Sequence, residues 1–352
     1  MIKKPTKIVL CGYYGCGNLG DEMILGAILT QIKESHPHAD IRILKNKSFI
    51  ANTRKMAGAE LFVLGGGSIL QNATSNASLF YYLGIIHLAR LLCKGKIMLS
   101  NGIGPIIERK IPQKILLRFL SRAINYFDFI SVRDTDSQKL LKKLLPHRKI
   151  HLVPDPALIE FAKINQRLIN SPHNTPNDAF FVFCPHANSI KKAKIDPQII
   201  AKSLSELSAL YRARLKIVIF NEKEDLTLAK FFAKHLENAE IITPHTPNEA
   251  ARALSGAKFV VSSRYHASLL AISLGLPTLS VSTDPKITAL YKDFYAFPAS
   301  PPSILNDSKL LNSQIGKIMN YYGENKKRVE QKITLSTHKT TTALKNCLID
   351  LI

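Results

Sequence analysis

Acidic residues are scarce in this 352-residue chain: 26 Asp and Glu stand against 48 Lys and Arg, a formal net charge of +22. Such a deficit favours a polyanionic partner, whether nucleic acid, anionic lipid or a phosphorylated substrate. Cysteines are few and scattered (Cys11, Cys16, Cys93, Cys184, Cys347). Their odd number and the lack of a CxxC pair argue against a disulfide scaffold or structural zinc and for a reducing compartment. With 17 Gly and 18 Pro the chain is neither collagen-like nor disordered, and 46% hydrophobic residues suffice for a buried core. No long apolar run is free of charge. The most apolar stretch, Leu79 to Leu99, carries His87, Arg90, Lys94 and Lys96, which excludes a membrane span. The basic segment Met1 to Lys7 lacks the apolar core of a signal peptide. A cytoplasmic protein is expected, with contact at the inner face of the membrane as an option.

What is present is alternation. Short apolar runs (Lys7–Cys11, Ile41–Leu44, Leu61–Leu64, Ile97–Ser100, Phe129–Val132, His151–Val153) alternate with helical patterns in the first half. A second series follows, with runs at Phe180–Cys184, Lys216–Phe220, Ala239–Ile242, Phe259–Ser262 and Thr278–Val281. This is the signature of parallel βαβ units. The expected fold class is α/β, with two Rossmann-like doubly wound domains facing a cleft. The expected division is a first domain over 1–160, a linker over 161–178, a second domain over 179–305 and C-terminal helices over 306–352. Two terminal helices are expected, Ser308–Tyr322 and Glu324–Ile349. Strand carboxyl ends would face the cleft, where such folds bind ligands.

The motifs cluster at those strand ends. Gly12 to Glu22 contains Gly15-x-Gly17-x-x-Gly20, the dinucleotide fingerprint. A ribose-binding acid is missing after the next strand, where Lys45-Asn46-Lys47 stands, so no nicotinamide cofactor is expected. Asp21 and Glu22 either favour the helix dipole or accept hydrogen bonds from sugar hydroxyls, and Asn18 lies in the same loop. Gly65-Gly66-Gly67 makes either a tight turn or a close backbone approach to a ligand; Asn101-Gly-Ile-Gly-Pro105 is a third glycine loop. Arg133 is read as half of an ion pair with Asp134 or as an anion-binding fork. Asp155 caps a turn or belongs to the site. The densest signal is Ser263-Arg264-Tyr265-His266 after a buried strand, followed by Asp284-Pro-Lys286 after the next. Two cations there would line an anion pocket with a proton donor beside it. Outside these loops, Ile111 to Phe127 interleaves Lys114, Arg118 and Arg122 with apolar residues. It reads either as a core helix with solvated charges or as a helix resting on anionic lipid.

Taken together, Gly12-Tyr-Tyr-Gly15, Gly20-Asp-Glu22, Gly65-Gly-Gly67, Gly102-Ile-Gly-Pro105, Ser131-Val-Arg-Asp134, Asp155-Pro, Arg264-Tyr-His266 and Asp284-Pro-Lys286 resemble the polysaccharide pyruvyl transferase family. Thr283 and Cys16 depart from the residues common there. The resemblance implies a GT-B-like fold with a C-terminal helix returning to the first domain. It also implies transfer of the pyruvyl group of phosphoenolpyruvate, as donor substrate, to two hydroxyls of a cell-envelope saccharide, lipid-linked in the expected case. No metal, cofactor or nucleic acid is implied. Carried over, Arg264, His266 and Lys286 are the catalytic set. Arg133 and Tyr265 would contact substrate, while Gly15, Asn18, Asp21, Glu22, Gly65, Gly66, Gly67 and Asp155 would line the acceptor side. The alternatives are a glycosyltransferase using a nucleotide sugar, with Glu249 as the candidate ribose carboxylate, and a non-catalytic binder of anionic polymers or membrane surface.

Overall fold

The computed structural model describes residues 6–44, 48–73, 75–169, 179–295 and 298–350. Lys45–Lys47, the last part of the expected linker and residues 296–297 lie outside them. Contacts divide the chain into two units. The first comprises Met1–Cys16, Asp21–Ile159 and Ser336–Ile352, and the second Gly17–Gly20 and Glu160–Leu335.

In the first unit the order is β1 (Lys7–Cys11), α1 (Leu19–Ser35), β2 (Asp40–Leu44), α2 (Phe49–Met56), β3 (Ala59–Gly65) and α3 (Asn76–Leu92). It continues with β4 (Cys93–Asn101), α4 (Gln113–Ile124), β5 (Phe129–Val132), α5 (Thr135–Leu144), β6 (His151–Leu152) and the start of α6 (Ala157–Ile169), which belongs to the second unit from Glu160 on. The strands form one parallel sheet in the order β2-β1-β3-β4-β5-β6. Strands covered by helices on both faces must be apolar throughout. Ile8, Val9 and Leu10 of β1, and Leu61 to Leu64 of β3, are accordingly buried.

The second unit holds β7 (Phe180–Cys184), α7 (Ala187–Lys192), α8 (Pro197–Tyr211), β8 (Arg214–Val218), α9 (Glu222–His235) and β9 (Glu240–Ile242). After these come α10 (Pro247–Leu254), β10 (Val260–Ser262), α11 (Tyr265–Ser273), β11 (Thr278–Ser280), α12 (Pro285–Phe294) and α13 (Ser308–Asp350). Its sheet is also parallel, in the order β11-β10-β7-β8-β9. All five residues of Phe180–Cys184 are buried, with Phe181 stacked on Phe259 and Phe183 against Phe232.

Three differences from expectation have local causes. Residues 161–169, read as linker, are helical in α6. Asp155 accepts from the Ala157 amide at 3.0 Å, and Ala157, Phe161 and Ile164 are buried at helical spacing. The two expected terminal helices are one 43-residue helix. Gly323 does not break it, because buried Ile315, Ile318, Tyr322, Val329 and Ile333 continue the stripe across it. An exposed helical glycine costs only about 1 kcal/mol. The Asp284-Pro-Lys motif opens a helix that periodicity had not marked. Asp284 accepts from the Lys286 amide at 3.1 Å, Pro285 holds the first position, and Ile287, Leu290, Tyr291 and Phe294 face inward. The terminal residues of α13 group with the first unit, where Thr340 Oγ1 donates to the Pro154 carbonyl at 3.2 Å.

Candidate active site

In the second sheet, four neighbouring strands release charged side chains from their carboxyl ends. Lys286 opens α12 after β11, and Arg264, Tyr265 and His266 open α11 after β10. His186 caps α7 after β7, while Glu224 and Asp225 lie in the first turn of α9 after β8. Parallel packing thus places on one sheet edge residues that lie up to 100 positions apart in sequence.

Arg264 is not the bare cation its sequence context suggested. Its Nε donates to Asp225 at 2.9 Å and its Nη2 to Glu224 at 2.7 Å; its side chain is 12% exposed and that of Asp225 is fully buried. Asp225 also accepts from the Ala187 amide at 3.0 Å. His186 Nε2 stands 3.6 Å from Glu224, and its Nδ1 is 2.6 Å from the Ser189 hydroxyl. The His186 imidazole and the Arg264 guanidinium hold the Glu224 carboxyl down to about 2. Lys286 Nζ lies 3.1 Å from Asp284 with its side chain 35% exposed. His186, Glu224 and Asp225 were missed in the sequence. The acids Glu222, Glu224 and Asp225 read as an ordinary acidic first turn, and His186 had no motif around it.

Residues 17–20 of the fingerprint loop group with this unit. The Leu19 amide donates to the Phe220 carbonyl at 3.0 Å, and Asn18 bridges Asn221. A Cβ on Gly20 would lie 2.0 Å from His266 Nδ1 and 2.7 Å from its Cβ, so the third glycine of the fingerprint makes room for this histidine. Tyr265 meets the His266 ring edge-on at 5.0 Å.

In the first sheet, the ends of β1, β3, β4, β5 and β6 are likewise neighbours. The Gly15 amide donates to Glu22 at 2.5 Å, so the carboxylate closes the loop from within. Buried Tyr14 donates to the Gly65 carbonyl at 2.5 Å, and a side chain at Gly12 or Gly65 would collide with its phenol. Burial pushes that phenol well above its ordinary range. Gly66 and Gly67 have φ of 58° and 73°; a Cβ on Gly67 would lie 3.2 Å from Asp21 Oδ1. Arg133 pairs with Asp155 at 2.8 Å, the two side chains being 2% and 1% exposed, and Nη2 donates to Ser68 at 2.6 Å. Its expected neighbour Asp134 instead caps α5 by accepting from the Ser137 amide at 2.7 Å.

Glu249 lies outside both groups. Its carboxylate accepts from the His245 amide and the Thr246 hydroxyl while Thr246 accepts from the Glu249 amide, a closed capping box. Among the described residues no group of His, Cys, Asp and Glu is placed to hold a metal ion, and no helix is long and apolar enough to cross a membrane.

The chain resembles solved structures of UDP-GlcNAc 2-epimerases. That of Methanocaldococcus jannaschii, in complex with UDP-GlcNAc and UDP, is 15% identical with a TM-score of 0.57, covering 94% of this chain and 99% of that one. A putative UDP-N-acetylglucosamine 2-epimerase from Listeria monocytogenes is 12% identical at a TM-score of 0.59, covering 97% and 95%. That of Neisseria meningitidis, bound to UDP-GlcNAc, is 13% identical at 0.55, covering 94% and 97%. At these identities the likeness is one of fold, GT-B-like α/β with two parallel sheets. A search of curated protein sequences found no match. The family model for polysaccharide pyruvyl transferase matches residues 18–285, a span that starts in the fingerprint loop and ends in the Asp284-Pro-Lys motif. By that match over most of its length, the chain belongs to the polysaccharide pyruvyl transferase family.

Proposed function

We propose that this transferase moves the pyruvyl group of phosphoenolpyruvate onto two hydroxyls of a saccharide, lipid-linked in its native form, giving a cyclic pyruvate ketal and inorganic phosphate. The observation that carries this reading is the placement of Arg264, His266 and Lys286 at the carboxyl ends of the adjacent strands β10 and β11. The donor carries a carboxylate and a phosphate, which call for more than one cation. Arg264 uses Nε and Nη2 on its two acids, which fixes a group with five N–H donors, and it is assigned the first of these charges. Lys286, on the first turn of α12, supplies the second positive charge.

In the proposed reaction His266 gives a proton to the methylene carbon, which becomes the methyl group. One sugar hydroxyl attacks the adjacent carbon and the second then displaces phosphate from it. Two hydroxyl protons are released, one replacing the proton lost by His266 and one leaving with phosphate or solvent. Histidine suits that exchange because its ordinary titration lies near neutrality. The first-unit loops with Asp21, Glu22 and Gly65–Gly67 are assigned to the acceptor. Arg133, in the first unit, is held by buried Asp155 and by Ser68. A nucleotide-sugar transferase would need a ribose-binding carboxylate, and the Glu249 carboxylate is engaged in its capping box.

The test is incubation with phosphoenolpyruvate and a pool of lipid-linked saccharides. Phosphate release that depends on the saccharide, with an acid-labile ketal in the product, supports the reading. Phosphate-free turnover of a nucleotide sugar would replace it.

A further inference from the structure

Helix α4 turns two different rows of side chains outward. Leu116, Leu120, Ala123 and Ile124 are buried against the first sheet. Lys114, Arg118 and Arg122 form an exposed row at four-residue spacing, and beside it Ile115 and Phe119 are 43% and 46% exposed. Phe119 leans edge-on against Phe80 of α3 at 5.9 Å and presents its remaining surface outward. The preceding loop extends the surface with Ile107, 40% exposed, and with exposed Arg109 and Lys110. Glu108 of that loop accepts from the Gln113 amide at 3.3 Å. From Arg109 to Phe127 the sequence has no Asp or Glu, so these five cations face no acid from their own segment.

Arg122, in the last turn, suits the helix dipole, but Lys114 does not serve the helix itself. Lys114 sits in a first turn that has no acid, and the Pro112 cap makes no side-chain hydrogen bond. A cation at a helix amino terminus opposes the helix dipole. Its benefit must then come from an anion outside the segment. Exposed apolar side chains gathered beside a cationic row are, in turn, unfavourable for a surface that meets only water. A row of cations flanked by shallowly inserting Ile and Phe side chains matches a surface with anionic headgroups over an acyl layer.

We infer that the outer face of α4 with the Ile107–Lys110 loop is a docking surface for an anionic phospholipid membrane. Cations would contact the headgroups while Ile107, Ile115 and Phe119 enter the acyl boundary. The inference rests on this patch alone, and its test needs neither donor nor saccharide, so it stands or falls separately from the pyruvyl transfer reading.

The test is co-sedimentation of the full chain with vesicles of phosphatidylcholine, alone or mixed with phosphatidylglycerol. Binding to the mixed vesicles only is expected, weakening as salt rises past about 0.15 M. Each lost cation should weaken binding about fivefold, so Lys114→Gln/Arg118→Gln/Arg122→Gln should weaken it about a hundredfold. Ile115→Ser/Phe119→Ser should weaken it without changing the salt slope. Circular dichroism confirms that each variant is folded. The chain contains no tryptophan, so Phe119→Trp provides a single tryptophan, excited apart from the tyrosines, on the patch. Its emission should shift to the blue on anionic vesicles and be quenched by brominated acyl chains. Equal binding to neutral vesicles, unchanged emission of the Phe119→Trp variant, or undiminished binding of the glutamine variant would overturn the inference. Binding of the same residues to RNA or DNA in place of vesicles would overturn it too.

Discussion

Arg264 meets one oxygen of Asp225 twice, with Nε at 2.9 Å and Nη2 at 2.6 Å, from the amino-terminal cap of α11 to the first turn of α9. The arginine that leads the Arg-Tyr-His motif is therefore held by a buried acid, and its direction is set before any ligand arrives.

Removing that acid should be costly. Asp225→Ala leaves a largely buried guanidinium with only Glu224 and should destabilise the fold by about 3–5 kcal/mol. Glu224→Ala removes a carboxylate that is 37% exposed and should cost no more than about 1 kcal/mol. Chemical denaturation of the two variants checks this, and equal losses would show that Asp225 does not hold the arginine.

Acid should loosen the same cluster. The Glu224 carboxyl is held below its ordinary value of 4.5, at about 2, so its contribution to stability is complete above pH 4.5 and is lost as pH falls to 2. Glu224→Gln should flatten the stability profile in that window only. A profile parallel to that of the parent chain would remove the carboxylate from the acid response.

At the proposed reaction centre, His266→Gln should keep the fold and lower turnover by ~10²–10⁴-fold while phosphoenolpyruvate still binds. Lys286→Ala should mainly raise KM, since its side chain is half-exposed and removable without a buried vacancy. Steady-state kinetics with titration calorimetry separates the two effects. Near-normal turnover in folded His266→Gln would exclude the histidine as the proton donor.

Thiol reactivity should single out the fingerprint loop. Cys11, Cys93, Cys184 and Cys347 are buried, and burial pushes the Cys11 and Cys93 thiols up to about 12 and about 11. Cys16 is the partly exposed one of the five. An aromatic disulfide reagent should titrate one thiol quickly in the native protein and five after denaturation. Rapid reaction of a second native thiol would contradict the burial of the strand cysteines.

Much of this protein was determined locally. Buried parallel strands must be apolar along their whole length, so runs such as Leu61–Leu64 and Phe180–Cys184 announced both sheets. Glycines at positive φ and residues at strand ends announced the loops, and with them Arg264, His266 and Lys286. Helices α2, α6, α7 and α12 were not legible. Most are short or lie where cap residues rather than a long apolar stripe decide the start.

The charge partners were a different matter, because an ion pair depends on distances in space that spacing along the chain does not encode. Arg133 had Asp134 next to it in sequence, yet strand pairing brings Asp155 to 2.8 Å and turns Asp134 into a helix cap. Arg264 looked like an unpaired cation until β7, β8 and β10 set His186, Glu224 and Asp225 beside it. Gly20 matched a nucleotide fingerprint, and its required lack of a side chain follows from the His266 ring 246 positions later. Local sequence chose the strands and the loops between them; the order in which the strands pair chose which charges meet.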